Sequence, residues 1–290
     1  MNLLRRDLIA LTAALTLARG ADAASRISVV AAENVYGDIA RQIGGAGIDV
    51  TSILSNPNQD PHLFSASPSV ARALAEAAIV IVNGADYDPW MAPLLAATTV
   101  PGRVVITMAT LLGRKPGDNP HLWYDPQAIP DLVPQLVAAL AAKVPANAGA
   151  YQRNGANLFA SLVALQARIA ALRAKYAGIK ITATEPVFGL MAQALGLVVL
   201  NQPFQTAIMN GTEPAPKDVA VFEDDLRQRR VRALIYNAQV TDDLTATLLA
   251  LARKNDVPVI GVTETEPAGL NYQQWMDSGL DAVDQALRRA

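Results

Sequence analysis

The sequence predicts an α/β fold of two similar lobes, each a parallel sheet flanked by helices, joined by one long rigid helix. Three observations carry that expectation. Short β-branched runs alternate with helix-compatible stretches from Ile27 onward, and the same rhythm resumes after residue 177. Between the two halves lies a run from 150 to 176, rich in Ala, Leu, Arg and Gln, that only Gly155 interrupts. Strands of about four to seven residues alternating with helices of about ten argue for parallel sheets with crossover helices.

Taken in order, residues 1–24 read as an export signal. Arg5-Arg6 form a basic start, Leu8 to Ala18 an apolar core of about eleven residues, and Ala21-Asp22-Ala23 the small-x-small pattern that signal peptidase prefers. The apolar run is shorter than the about 20 residues that span a bilayer. Leu4 and Asp7 flank the paired arginines without a full twin-arginine consensus, so general secretion is the preferred route. The N-terminal lobe, 25–149, has expected strands at 27–31, 48–54, 79–83 and 103–107, and helices near 35–43, 68–77 and 89–97. In the connecting helix, 150–176, Leu158, Leu162, Leu165, Ile169 and Leu172 recur at three- and four-residue steps, one buried stripe on a rod about 40 Å long. The C-terminal lobe, 177–290, repeats the pattern with strands at 180–184, 198–200, 233–237 and 257–262 and helices near 187–194, 216–229, 242–254 and 272–289.

Composition narrows the function. With 290 residues, 51% of them apolar and 17% charged, the chain has material for two globular cores. A formal net charge of -2 without a long basic run excludes nucleic acid as an expected partner. There is no cysteine, so there is no disulfide framework, no thiolate ligand and no lipid-modified cysteine. A metal site in this chain uses nitrogen and oxygen only. The mature protein is expected to lie free in the periplasm, without a membrane anchor.

The chain has two histidines, in near-duplicate settings: Pro61-His62-Leu63-Phe64 and Pro120-His121-Leu122-Trp123. Each is preceded by an acid or amide and followed within a few residues by another proline, Pro68 or Pro126. Neutral imidazole is the commonest side-chain metal ligand, and a flanking proline stiffens the loop that presents it. A lone histidine is more often a hydrogen-bonded core residue; the repeated context argues against that here.

Both histidines follow expected strands of the first lobe, and the second lobe offers carboxylates at matching places. Glu185-Pro186 follows the strand at 180–184, and Thr263-Glu264-Thr265-Glu266-Pro267 follows the strand at 257–262. Two imidazoles from one lobe and two carboxylates from the other make a mixed nitrogen–oxygen site across a cleft. Glu33 and Asn34, after the first strand, are read chiefly as caps of the next helix, with orientation of an imidazole as the other role. Asn237, at a strand end, is a candidate for holding a ligand; Trp123 and Tyr124 either shield the site or fill the core between lobes. Glu213-Pro214 reads as helix-start chemistry, and Glu223-Asp224-Asp225 as a solvated helix face.

With these motifs in view, the sequence resembles the metal-binding solute-binding proteins of bacterial zinc/manganese ABC importers over residues 27–289. The resemblance is carried by Asp60-Pro61-His62-Leu63-Phe64 with Pro68-Ser69, by the strand ending in Asn83-Gly84, and by Asn119-Pro120-His121-Leu122-Trp123 with Asp125-Pro126. It implies two lobes, a long connecting helix and a four-ligand site at their interface. The implied ligands are His62, His121, Glu185 and Glu264, with Glu266 as the rival for the fourth place. Many zinc-type members carry histidine where Glu185 stands, and manganese-type members often carry glutamate. The histidine-rich loop of many zinc-type members is missing, since the short stretch 112–118 contains no histidine.

The resemblance implies a monomeric periplasmic protein that captures one divalent transition metal ion, Zn²⁺ or Mn²⁺ with iron as a further candidate, as transported ligand. It would deliver that ion to an inner-membrane ABC permease served by a separate ATPase, with no catalysis on this chain. The alternatives are a metal-dependent enzyme, which needs an open coordination position, and a periplasmic metal chaperone or adhesin.

Overall fold

The computed structural model describes residues 26–57, 61, 64–240 and 242–289. The export signal expected at 1–24 therefore lies outside the described residues, and so does His62.

Two four-stranded sheets, all parallel, form the two lobes. In the first, β1 (Ile27–Glu33), β2 (Ile48–Leu54), β3 (Ile79–Val82) and β4 (Val104–Thr107) take the order β2-β1-β3-β4. In the second, β5 (Lys180–Ala183), β6 (Val198–Leu200), β7 (Leu234–Asn237) and β8 (Val259–Val262) take the order β6-β5-β7-β8. The orders are the same, which is the structural content of the repeated rhythm. Val29 and Ala31 of β1 enter one apolar cluster and Val30 and Ala32 another. Burial on both faces is why the strand reads as a continuous apolar run and not an alternating one.

The helix between the lobes spans Ala148–Tyr176. By length and composition it could cross a membrane, yet Leu158, Leu162, Leu165, Ile169 and Leu172 are buried in a cluster that includes residues of both lobes. Gly155 has a packing reason. A Cβ at this position would sit 2.7 Å from Val137 Cγ2 of the neighbouring helix Ala128–Lys143, well inside van der Waals contact.

That neighbouring helix was not expected from the sequence. It contains two prolines: Pro130 lies in the first turn, where backbone N–H groups have no intrahelical partner. Pro134 interrupts one bond, and the buried face of Leu132, Val133, Leu136 and Leu140 outweighs it. The short helices Met108–Leu111 and Gln202–Met209 were likewise unmarked.

The cap expected from Glu33 or Asn34 does not form. The helix Asn34–Gly44 has no side-chain cap, and the Glu33 side chain turns into the core. Asn34 makes a different contact, across the lobe boundary: its Nδ2 donates to Glu266 O at 2.8 Å and its Oδ1 accepts Glu266 N–H at 2.9 Å. A side-chain amide thereby acts as a stretch of strand, holding the loop after β8 against the first lobe. Tyr124 Oη donates to Thr263 O at 2.8 Å and Tyr272 Oη to Trp123 O at 3.0 Å, fastening the same boundary.

Candidate metal centre

In open parallel sheets, ligands gather outside the carboxyl ends of the strands, where neighbouring connections leave in opposite directions. In the second lobe that place lies between β5 and β7. Glu185 follows β5, Asn237 ends β7, and Glu264 follows β8. From the first lobe, the segment after β4 brings His121 to the same boundary. His121, Glu185 and Glu264 are all buried, at 0%, 4% and 1% exposure.

The imidazole is oriented by Asn119. Its Oδ1 lies 2.9 Å from His121 Nδ1 and accepts the His121 backbone N–H at 3.0 Å, while its Nδ2 donates to Pro186 O at 2.7 Å. With the amide nitrogen committed to Pro186, Asn119 presents an acceptor to Nδ1, so Nδ1 carries the proton in the neutral ring. Nε2 then offers a lone pair, and it faces Glu264 Oε2 at 3.3 Å. An imidazole lone pair against a carboxylate oxygen calls for a positive species between or beside them, either a proton or a metal ion.

Glu264 is held from three sides. Tyr87 Oη donates to Oε2 at 2.8 Å, Asn237 Nδ2 donates to Oε1 at 2.5 Å, and the backbone N–H donates to Gln239 Oε1 at 2.6 Å. The same Asn237 nitrogen donates to Glu185 Oε2 at 2.6 Å, so one amide bridges both carboxylates. Burial, and next the charge of Glu264, push the Tyr87 hydroxyl well up, keeping it a donor. Tyr87 is positioned by a strained turn. Ala85 and Asp86 have φ of 52° and 64°, a conformation that costs residues with a Cβ of order 1–3 kcal/mol each. Asp88 steadies the turn by accepting the backbone N–H groups of Asn83 and Gly84 at 2.8 and 2.7 Å.

Of the residues expected from the sequence, the structure brings together His121, Glu185, Glu264 and Asn237. Among the described residues, no group of three or more His, Cys, Asp or Glu side chains is close enough to hold an ion by itself. Glu266 goes elsewhere: its carboxyl lies near Asp38 and Arg41, and burial, then Asp38, push it up to about 9 against the pull of Arg41. Trp123 both fills and shields, being fully buried with its ring 5.6 Å from that of His121 and 4.9 Å from that of Tyr87. Tyr87 and Gln239 were missed as contributors. Their one available signal is position, since each lies a few residues past the asparagine at the end of the third strand of its lobe.

Known proteins share this architecture. The chain is 22% identical over 307 residues to the manganese ABC transporter substrate-binding lipoprotein PsaA of Streptococcus anginosus, covering 98% of this chain and 96% of that one. Its fold matches the periplasmic zinc binding protein TroA from Treponema pallidum with a TM-score of 0.75 at 18% identity, over 91% of this chain and 99% of that one. It also matches the Mn²⁺ complex of FpvC from Pseudomonas aeruginosa, with a TM-score of 0.74 at 19% identity and the same coverages. The family described as "Zinc-uptake complex component A periplasmic" matches residues 29–286. The chain belongs to that family.

Proposed function

We propose that this protein is the periplasmic substrate-binding component of an ABC importer for a divalent transition metal. It captures one ion between its lobes and hands it to an inner-membrane permease powered by a separate ATPase. The ion is cargo, and binding and release are the whole of the chain's chemistry. His62, His121, Glu185 and Glu264 are the proposed ligands. The relatives named for manganese and zinc support the metal class, and the family supports the transport role.

The observation that carries the reading is the buried contact of His121 Nε2 with Glu264 Oε2, joined to Glu185 through one amide. Two buried carboxylates repel each other and lose hydration, and a dication between them offsets both costs. Glu264, and not Glu266, is the proposed fourth ligand because only Glu264 faces the imidazole.

The test is titration of metal-stripped protein with Zn²⁺ and with Mn²⁺, read as bound stoichiometry and thermal stability. One equivalent should bind, adding about 2.7 kcal/mol of stability when free metal is about 100-fold above Kd. Glu185→Gln should weaken the binding. Absence of binding by either ion would refute the reading, and undiminished affinity in Glu185→Gln would remove Glu185 from the site.

A further inference from the structure

The strand order β6-β5-β7-β8 leaves β8 at an edge of the second sheet. In a parallel ladder, alternate residues of a strand turn their backbone groups toward one neighbour and the rest turn theirs away. Leu234 N–H donates to Pro258 O and Ala238 N–H to Val262 O, both at 2.8 Å, so residues 258, 260 and 262 face β7. Val259 and Gly261 therefore present their N–H and C=O groups at the outer edge. Native edge strands are normally guarded by a charge, a bulge or a proline. The run Val257-Pro258-Val259-Ile260-Gly261-Val262 carries no charge, and Pro258 sits in the register that faces β7.

This edge opens into a groove of about 630 Å³, lined by Tyr236, Val259, Gly261 and Gln285 among others. The helix Tyr272–Arg289 forms one wall and the end of the helix Asp243–Lys254 the other. Gly261 has no side chain to fill the groove, and the Tyr236 ring lies across it, 3.1 Å from where a Cβ would stand. A second cavity, of about 310 Å³, shares Asp256 and Arg289 with the first. Arg253 lines the first, and Arg229 and Arg232 the second. Arg229 meets Asp256 at 3.3 Å. Arg232, Arg253 and Arg289 are exposed and have no ion-pair partner among the described residues. In a chain of net charge -2, that is a local excess of guanidinium groups beside an open edge.

Unpaired ladder groups accept an added strand, and guanidinium groups select carboxylates. We infer that the β8 edge is a docking groove for an extended acidic segment of a partner protein, which adds to the sheet beside β8. Main-chain bonds to Val259 and Gly261 hold the segment, and the arginines choose its charge. A second copy of this chain is the poorer occupant, since pairing edge to edge brings the same arginines of both copies together. The groove begins at the amino end of β8, whereas Glu264 follows the carboxyl end. The surface is thus separate from the proposed metal site, and its test needs no ion.

The experiment titrates the protein with a fluorescent, end-blocked peptide of alternating valine and glutamate, read by anisotropy and by amide exchange. Two controls replace glutamate with lysine, or methylate alternate backbone nitrogens of the acidic peptide. The acidic peptide should bind, and exchange at Val259 and Gly261 should slow. Arg253→Glu with Arg289→Glu, both at exposed positions, should weaken binding about tenfold or more, the effect of losing one bond to a charged group. The lysine peptide and the methylated peptide should not bind. Failure of the acidic peptide to bind, binding without protection of Val259 and Gly261, or equal binding of the lysine peptide overturns the inference. Protection of those two amides by self-association of the protein alone assigns the edge to a second copy and overturns it too. So does their protection by phosphatidylglycerol vesicles in place of the peptide.

Discussion

His121 Nε2 lies 3.3 Å from Glu264 Oε2, the imidazole reaching from the first lobe and the carboxylate from the end of β8 in the second, both side chains fully shielded from solvent. Glu264→Gln and Glu266→Gln therefore separate cleanly. Replacing Glu264 should reduce metal affinity by more than the about 10–100-fold that follows loss of an outer partner. Replacing Glu266 should leave affinity within a few-fold. Parallel titrations of the two variants with Zn²⁺ check this; equal losses would contradict the assignment of roles.

Glu33 is a buried carboxyl whose two oxygens find no hydrogen-bond partner in another residue among the described residues. Burial, and next the nearby charge of Asp88, hold it well above its ordinary 4.5. The folded protein thus keeps this group protonated where the unfolded chain ionises it. Its contribution to stability is fully present below pH 4.5 and is lost as pH rises toward the raised value. Glu33→Gln, close in shape and uncharged at every pH, should become increasingly more stable than the parent as pH rises above 4.5 toward the raised value. Thermal unfolding of the metal-free proteins across that range measures it, and a constant difference would mean Glu33 is not neutral in the fold.

Gly155→Ala sets helix propensity against packing. Alanine in a helix interior is worth up to about 1 kcal/mol over glycine, but its Cβ meets Val137 Cγ2 at 2.7 Å. Valine is stiff at χ1 in a helix and cannot yield easily, and overpacking costs about 1–3 kcal/mol. The net change should be destabilising. Adding Val137→Ala should recover part of the loss, a coupling that denaturation of the two single variants and the double variant reads directly.

Asn34→Ala removes both bonds that hold the backbone of Glu266 to the first lobe. Amide exchange around residues 263–267 should accelerate, and metal affinity should fall because Glu264 sits on the released loop. Unchanged exchange there would place the hold in Tyr124 and Tyr272 instead.

How far the sequence discloses this molecule depends on the kind of signal. The alternating strands and helices follow from local apolar patterns, and Gly155 stands out in its helix even before Val137 gives it a reason. His121, Glu185 and Glu264 are legible because each follows a strand of a parallel sheet beside a proline or a proline-containing motif. The helix Ala128–Lys143 is hidden by two prolines whose cost its buried face covers. Asn34 looks like a helix cap because caps are local, whereas its partner Glu266 lies 232 residues away. The choice between Glu264 and Glu266 is closed to pattern reading, as the two residues share the same local setting; only the fold turns one toward His121 and the other toward Asp38.

The most direct test of the central claim is anomalous diffraction from crystals of the protein loaded with Zn²⁺. The account predicts one strong peak within coordination distance, about 2.0–2.2 Å, of His121 Nε2 and of the carboxylates of Glu185 and Glu264, with His62 completing the set. A peak remote from these side chains, or bound by Glu266 in place of Glu264, would contradict it.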